Sequence, residues 1–274
     1  MPGRLRFFPQ LWGAFARVFP RCGMISQAIA FNVFLAFFPT LLLGVGFPST
    51  WIGSRTALLD AIRDFTHFLP PGSQGIVVDF LGRRGSDIWK LALLGWFGCL
   101  FGGTQVMKLL MEGIHLIYGD QERLGFLHRQ FRGLLLLLIT MAPILVAGIL
   151  GVFGRPLRHW ATGFIGQHVL VSGLWLVFFP LVAMILAMLA LTAIYWVARP
   201  KEESLRHMLP GATLATLLWW MVNALFGIYV RRVPYNVVYG GLAAVIGLLI
   251  WMQISALIVF LGAAWNAESN GARE

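Results

Sequence analysis

The stretch VPYNVVYGGLAAVIGLLIWMQISALIVFLGAAWNA, residues 233–267, contains no Asp, Glu, Lys or Arg. Five earlier stretches share this property, namely residues 22–54, 91–107, 133–154, 159–198 and 207–230. A helix of about 20 apolar residues crosses the hydrocarbon core of a bilayer. One charge at its centre costs roughly 2.5–3.5 kcal/mol on insertion scales. The pattern therefore predicts an integral membrane protein with several spans.

The spans are predicted to be helices rather than strands. Backbone groups in lipid must pair internally, which leaves helices or closed barrels, and barrel strands alternate apolar and polar residues over about 10 positions. The run LLLLLITMAPILV at residues 134–146 does not alternate. We predict an all-α integral membrane protein, a six-transmembrane-helix bundle. Its predicted spans are residues 24–47, 89–107, 133–153, 167–198, 208–230 and 239–265.

Composition limits the remaining possibilities. Hydrophobic residues make up 58% of the 274 residues and charged residues 12%, against roughly 45–50% and 25% in soluble domains. The net charge of +10 is assigned to the membrane edge, where Lys and Arg meet anionic headgroups, and not to nucleic-acid binding. Cys22 and Cys99 are a poor disulfide candidate, and no zinc-binding spacing occurs. We expect no metal and no cofactor.

The segments outside the spans also carry patterns. Residues 1–23 are predicted to form a cytoplasmic amphipathic leader, lying in the headgroup layer or packed on the bundle. Its apolar positions at helical spacing are Leu11, Ala14, Phe15, Val18 and Phe19, and its polar positions are Gln10, Arg17 and Arg21. The first outer link is predicted to hold two short amphipathic helices, starting near Ser54 and Ser73. Residues 24–267 are predicted to form the six-span membrane domain, and residues 268–274 a short cytoplasmic tail.

Orientation follows from the distribution of basic residues. With both ends inside, the inner segments hold twelve Lys and Arg and the outer segments nine. Cytoplasmic segments carry the excess of Lys and Arg. We therefore predict both termini in the cytoplasm of a bacterium and the spans in its inner membrane.

Ionisable residues give little support to an enzyme. Asp60, Asp64 and His67 would share one helix face, which suits a metal site, but a solvated surface is the favoured interpretation. Lys108 and Glu112 are four residues apart and are expected to pair. The chain has no nucleophile-elbow, zinc-protease or phosphate-loop motif. We predict no catalytic residue.

The polar residues inside the spans are neutral. Hydroxyl side chains there are expected to bond across helices. Amides are better site candidates, because an unpaired amide is costly to bury. They should face a cavity or each other. The candidate intramembrane polar site consists of Asn32, Gln105, Asn223, Gln253 and Asn266.

Two further features concern packing. Gly98 and Gly102 form a small-xxx-small pattern, which permits close helix contact within the chain or between protomers. Contact within the chain is the expectation. Tyr195 and Trp196 lie near the end of the fourth predicted span, where aromatic side chains are typical of the membrane interface.

Several quoted segments resemble the YihY/BrkB family of bacterial inner-membrane proteins, once labelled ribonuclease BN. They are SQAIAFNVFLAFFPTL (26–41), MEGIHLIY (111–118), LPGATLATLLWW (209–220), FGIYV (226–230), YNVVYGGL (235–242), LIWMQIS (249–255) and LGAAWNAE (261–268). The family-motif residues are Pro39, Pro210, Gly211, Trp219, Tyr235, Asn236, Tyr239, Gly240, Trp251 and Gly262.

The chain also departs from the family pattern. Ala264 stands where the family usually has Glu, and Asn266 or Glu268 is expected to take over the contacts of that acid. Phe31 and Asn32 replace a Tyr pair that is common in the first span, and Ile114 lies near the place of the middle motif's Asn.

The resemblance implies a six-span protein that exports an envelope lipid or another amphiphile. Its partners would be membrane lipids and an amphiphilic substrate, and its oligomeric state is left open. One alternative is a non-enzymatic scaffold that docks envelope proteins through the outer link, residues 54–87. A membrane-bound ribonuclease, as in the old family label, ranks last.

Overall fold

The computed structural model describes residues 7–19, 21–51, 88–119, 125–143, 168–198, 204–232 and 241–271. Every regular element in these ranges is helical, as the charge-free apolar runs predict. The helices are α1 (Phe7–Val18), α2 (Cys22–Trp51), α3 (Ile88–Tyr118), α4 (residues 126–143), α5 (His168–Ala198), α6 (Leu209–Arg232) and α7 (Gly241–Gly271). A short 3-10 turn, Leu205–His207, precedes α6.

Four described helices are long and apolar enough to cross a membrane. These segments are Leu93–Tyr118, Leu181–Ala198, Leu205–Ile228 and Val245–Ser269. A fifth candidate joins Pro9–Val18 to Cys22–Phe37 across a bend of 66°. The predicted third span is described only to residue 143, and the two helices predicted in the outer link lie outside the described residues. The all-helical membrane fold is therefore confirmed at the level of four to five candidate spans.

Helices α2 and α3 pack closely through small residues. A Cβ added at Gly98 would lie 2.7 Å from Pro39 Cγ, and one added at Gly102 would lie 2.9 Å from Ala36 Cβ. Both distances are shorter than real Cβ contacts, so only glycine permits this approach. The prediction that Gly98 and Gly102 mediate contact within the chain is confirmed.

Helix α4 packs against the second half of α3. A Cβ added at Gly103 would lie 2.7 Å from Leu137 Cδ1, and one added at Gly133 would lie 2.9 Å from Lys108 Cγ. Helix α3 ends at Tyr118, and Gly119 follows with a φ of 72°. This left-handed conformation suits a glycine that terminates a helix.

The buried core lies at one end of the bundle. There the first turns of α2 and α6 meet the last turns of α3, α5 and α7, and we call this region the closed end. Its largest fully buried side chains include Cys22, Ile114, Tyr195, Met208 and Phe260. The opposite end, formed by the first turns of α3 and α7 and the last turns of α6, is called the open end. Large apolar side chains such as Leu94, Phe97 and Leu225 are exposed there.

Helix α1 packs on α7 at the closed end. Ala14 and Val18 are buried in the core cluster. Arg17 Nε lies 2.6 Å from Glu268 Oε1, which brings the beginning of the described chain next to its end. The opposite face of α1 is aromatic. The rings of Trp12 and Phe15 on this face, and of Phe19 directly after the helix, are exposed and stack in sequence order, with centroid distances of 6.3 Å and 4.5 Å.

The interfacial position predicted for Tyr195 is wrong. Its side chain is fully buried, and its hydroxyl donates to Val259 O at 2.7 Å. The neighbouring Trp196 is exposed. The last turn of α5 packs in the closed end with one face, which carries Ile194 and Tyr195, while Trp196 lies on its exposed face.

Candidate functional site

Most hydroxyl side chains in the described spans bond to their own helix. The Oγ1 atoms of Thr104, Thr140, Thr192 and Thr216 donate to the carbonyl four residues earlier, at 2.6–2.8 Å. This local bond satisfies a hydroxyl without a partner helix. The expectation that these hydroxyls bond across helices is therefore wrong for these four residues.

The five predicted amides do not form one site. Asn32 Nδ2 donates to Ala28 O in its own helix at 2.8 Å. Gln105 lines a cavity between α3 and α4, and Gln253 is half-buried on α7. Among contacts between described residues, only Asn223 and Asn266 of the five bond across helices, both of them between α6 and α7.

Asn266 joins the end of α7 to the start of α6. Its side chain is fully buried. Its Oδ1 accepts from Gly211 N at 2.7 Å, and its Nδ2 donates to Met208 O at 3.0 Å. The first amides of a helix have no acceptor within it, and Pro210 has no N–H to satisfy. Asn266 therefore caps α6 from a neighbouring helix.

Two glycines allow this cap to form. A Cβ at Gly211 would collide with the Gly262 carbonyl oxygen. A Cβ at Gly262 would lie 2.6 Å from Gly211 O and 2.8 Å from Ala215 Cβ, and would also collide with the Tyr195 hydroxyl. The backbones of α6 and α7 are therefore in direct contact, and the Tyr195 side chain of α5 packs against the place where they meet. We call Tyr195, Gly211, Gly262 and Asn266 the glycine–asparagine joint.

A second polar group lies farther along the same helix pair. Trp251 Nε1 donates to Asn223 Oδ1 at 2.7 Å, and Trp219 Nε1 donates to Ser255 Oγ at 3.2 Å. Ser255 Oγ donates in turn to Trp251 O at 2.8 Å. The centroids of the two indole rings are 6.5 Å apart. We call Trp219, Asn223, Trp251 and Ser255 the indole–amide row.

The joint and the row are separate and differ in burial. Gly211 and Asn223 are twelve residues apart on α6, which is about 18 Å along a helix axis. Asn266 is fully buried, whereas Asn223 and all other members of the row are half-buried. The row therefore has both indole N–H groups bonded, and its two indole side chains remain partly accessible.

The ion pair predicted between Lys108 and Glu112 is wrong. Glu112 pairs with Arg129 on α4, and Lys108 Nζ donates to Gln130 Oε1 on the same helix at 2.9 Å. A Lys placed four residues before a Glu is the less favourable order in a helix. The close approach of α4 supplies better partners for both.

The family-motif residues of the last two helices belong to these two groups. Gly211 and Gly262 lie in the joint, and Trp219 and Trp251 lie in the row. Pro210 stands in the first turn of α6, and Pro39 contacts Gly98. The motif residues Tyr235, Asn236, Tyr239 and Gly240 lie outside the described residues.

The replacement of the family's usual Glu by Ala264 also has a structural context. Ala264 is fully buried at the closed end. Asn266 bonds to α6, and Glu268 pairs with Arg17 of α1. The two residues expected to take over contacts from an acid thus connect α7 to two different helices.

Sequence reasoning did not assign Tyr195 and Ser255 to a site. Tyr195 lies next to a helix end, which favours an interfacial interpretation. Ser255 looks like one more local hydroxyl, and its bond from Trp219 depends on the register of α6 and α7. The signal available in the sequence was spacing: Trp251 and Ser255 are four residues apart, as are Trp219 and Asn223, and so share one face on each helix.

Within the described ranges, no group of three or more His, Cys, Asp or Glu residues could hold a metal ion. The predicted Asp60, Asp64 and His67 face lies outside those ranges. The described helices and the two uncharged polar groups between them define a multi-span helical membrane protein with neutral amide and indole contacts inside its apolar segments.

Comparison with known proteins specifies the family. The model of the family described as Virulence factor BrkB matches residues 20–274, and the chain belongs to this family. The ribonuclease-like protein YfkH of Bacillus subtilis is 27% identical over 245 residues, which cover 88% of each chain. No solved structure matches the chain.

Other relatives are longer. A UPF0761 membrane protein of Alkalilimnicola ehrlichii is 28% identical over 255 residues, covering 89% of this chain and 54% of the relative. A UPF0761 membrane protein of a Janthinobacterium species is 23% identical over 249 residues, covering 90% of this chain and 56% of the relative. The chain thus spans little more than half the length of these two relatives.

Proposed function

We propose that this protein moves an amphiphilic, lipid-like component of the cell envelope across the bacterial inner membrane. The observation that carries the proposal is the indole–amide row. Its two indole N–H groups are bonded to Asn223 Oδ1 and Ser255 Oγ, so an acyl chain can pass them without stranding an indole donor. Its half-buried aromatic faces offer apolar contact with polar edges, a combination that suits an amphiphile.

The exposure of the row distinguishes this role from simple attachment of helices. A polar side chain that only joins helices stabilises the contact most where it is fully buried, as Asn266 is in the glycine–asparagine joint. The row instead lies toward the open end, where Met221 and Leu225 on α6 are exposed. We assign the substrate path to this side of α6 and α7.

The proposal includes a topology of six spans with both termini in the cytoplasm. The Arg17–Glu268 pair supports it, because two ends held together require an even number of crossings. Basic residues near the closed end, such as Arg21, Arg129 and Arg206, agree with a cytoplasmic closed end. In this topology the leader, residues 1–23, places its exposed aromatic face in the headgroup layer.

The alternatives have less in their favour. A scaffold role depends on residues 54–87, which lie outside the described residues. A ribonuclease activity is suggested by the name of YfkH, but no described cluster of carboxylates supports it, and Glu112 is paired with Arg129.

Transport is tested with proteoliposomes that contain fluorescently labelled envelope lipids, by following quenching of the label in the outer leaflet. The wild-type protein should accelerate leaflet exchange of at least one labelled lipid over protein-free vesicles. Trp219→Leu should slow exchange at least about fivefold, because it removes an aromatic face of the row. The matched control is Trp220→Leu, which changes the exposed neighbour on the same helix.

Two results would contradict the proposal. One is leaflet exchange at the protein-free rate for every labelled lipid, with and without ion gradients. The other is an equal loss in Trp219→Leu and Trp220→Leu, because the row would then have no special part in the path.

A further inference from the structure

A cavity lies between the second half of α3 and the first turns of α4. Its volume is about 240 Å³, room for several water molecules at about 30 Å³ each in the liquid. It is lined by Gln105, Lys108, Leu109, Glu112, Phe126 and Arg129. Neither the joint nor the row contributes to it.

The described lining of the cavity carries a net positive charge. Among these residues, two cations, Lys108 and Arg129, and one carboxylate, Glu112, give a balance of +1. The carboxylate is engaged by Arg129. The Lys108 ammonium donates to a neutral acceptor, Gln130 Oε1, at 2.9 Å. An ammonium has three donor positions, so Lys108 can bind an anion in the cavity while keeping this bond.

The backbone adds to the positive potential. Arg129 N donates to Gly125 O at 3.1 Å, the first bond of α4. The amides of Phe126, Leu127 and His128 precede this bond and have no acceptor within the helix. The first turn of α4 therefore presents partial positive charge next to the Lys108 and Arg129 side chains.

Apolar surface borders the charged groups. Phe126 is 79% exposed and Leu127 is 81% exposed on the first turn of α4. The cavity is also level with the closed end, since Gly113 of α3 contacts Phe260 there. A cationic cavity at the end of a membrane bundle suits the headgroup of an anionic lipid. The exposed apolar side chains beside it suit the acyl chains of the same lipid.

We propose that this cavity binds the phosphate group of an anionic membrane lipid, with the acyl chains lying along Phe126 and Leu127. We choose phosphate as the anion because it has several acceptor oxygens, and Lys108, Arg129 and the first amides of α4 together supply several donors. This binding goes beyond the transport proposal and does not depend on it, since a lipid can be held here whether or not any substrate moves.

The test measures lipid binding to the purified full chain in neutral detergent by native mass spectrometry. The probes are phosphatidylglycerol, phosphatidylethanolamine with the same acyl chains, and inorganic phosphate. Phosphatidylglycerol should bind more tightly than phosphatidylethanolamine. Lys108→Gln should weaken phosphatidylglycerol binding about fivefold, the typical effect of one Lys near an anionic lipid surface. Arg206→Gln removes the same charge from an exposed turn outside the cavity and should leave binding unchanged.

A variant that binds phosphatidylglycerol more tightly distinguishes the proposal from damage to the fold, because a misfolded protein would lose binding. Glu112→Gln removes the one carboxylate among the described lining residues, frees Arg129, and should tighten phosphatidylglycerol binding severalfold. Equal affinity for the two lipids, or no response to Lys108→Gln and Glu112→Gln, would overturn the proposal. Inorganic phosphate binding as tightly as phosphatidylglycerol, with the same response to both variants, would identify a free anion and overturn the lipid assignment. Leaflet exchange plays no part in these readouts.

Discussion

The two ends of the bundle are built differently. At the closed end, helix backbones touch at Gly211 and Gly262, and a fully buried amide, Asn266, connects two helices. At the open end, apolar side chains such as Phe97 and Leu225 are exposed. Both ends are rich in hydrophobic residues, so hydrophobicity alone does not explain why one of them packs tightly.

This difference shows which interactions hold helices together in lipid. Acyl chains are as apolar as Leu or Phe, so burying such side chains between helices gains little. Close backbone contact and satisfied hydrogen bonds do distinguish a helix neighbour from a lipid. The closed end has both, through the glycine–asparagine joint. Along the α6–α7 pair the packing is looser toward the open end, where a Cβ added at Gly247 would make only a 3.8 Å contact, and this agrees with the proposed substrate path on that side of the two helices.

The largest expected effect comes from filling the helix contact at the closed end. Gly262→Ala should lower the free energy of unfolding by more than about 3 kcal/mol, because the added methyl meets backbone and forces the helices apart. Unfolding in mixed detergent micelles, followed by circular dichroism, measures this change.

Gly247→Ala is the matched control on the same helix. Its added Cβ would lie 3.8 Å from Phe226 Cζ, an ordinary contact. Helix propensity favours Ala by about 1 kcal/mol in both variants, so the control should be as stable as the wild type or slightly more stable. Equal stability of the two variants would mean that the two ends do not differ in packing.

A smaller effect is expected from the buried amide. Asn266→Leu leaves the Gly211 N–H without an acceptor and should cost about 2–4 kcal/mol. Asn223→Leu frees the indole N–H of Trp251 at a half-buried position and should cost only about 1 kcal/mol. The same unfolding assay compares them. A larger loss for Asn223→Leu would reverse the assignment of the closed end as the more stable one.

The positions of the described spans could be predicted from the sequence because the exclusion of charge is a local property. Residues 208–230, predicted as a span, coincide closely with the candidate span Leu205–Ile228. The choice of partners could not be predicted in this way. Asn266 and Gly211 are 55 residues apart, and their contact depends on the register of two helices that local pattern does not fix.

Two of the failed expectations, those for Glu112 and Tyr195, share this cause, whereas the one for the threonines has a local cause. The hydroxyl of Thr104 is satisfied by its own helix, so polarity alone gives no sign of a partner. Glu112 finds Arg129 only because α4 approaches α3. Tyr195 reads as an interfacial residue until α7 is placed against α5, where Gly262 leaves room for its hydroxyl.

The smallest effect is expected from the charged pair that attaches α1 to α7. Arg17 and Glu268 are 48% and 26% exposed, and pairs of this kind contribute about 0.2–1 kcal/mol. Arg17→Gln should therefore destabilise the protein by less than about 1 kcal/mol, and a double-mutant cycle with Glu268→Gln should recover a coupling of that size. The coupling should shrink in 1 M salt, because exposed charges are screened. Since Ala14 and Val18 remain buried against the bundle, α1 should stay attached in the variant. If Arg17→Gln lowered the free energy of unfolding more than Asn266→Leu does, surface charge, rather than backbone contact and a buried amide, would hold the closed end together.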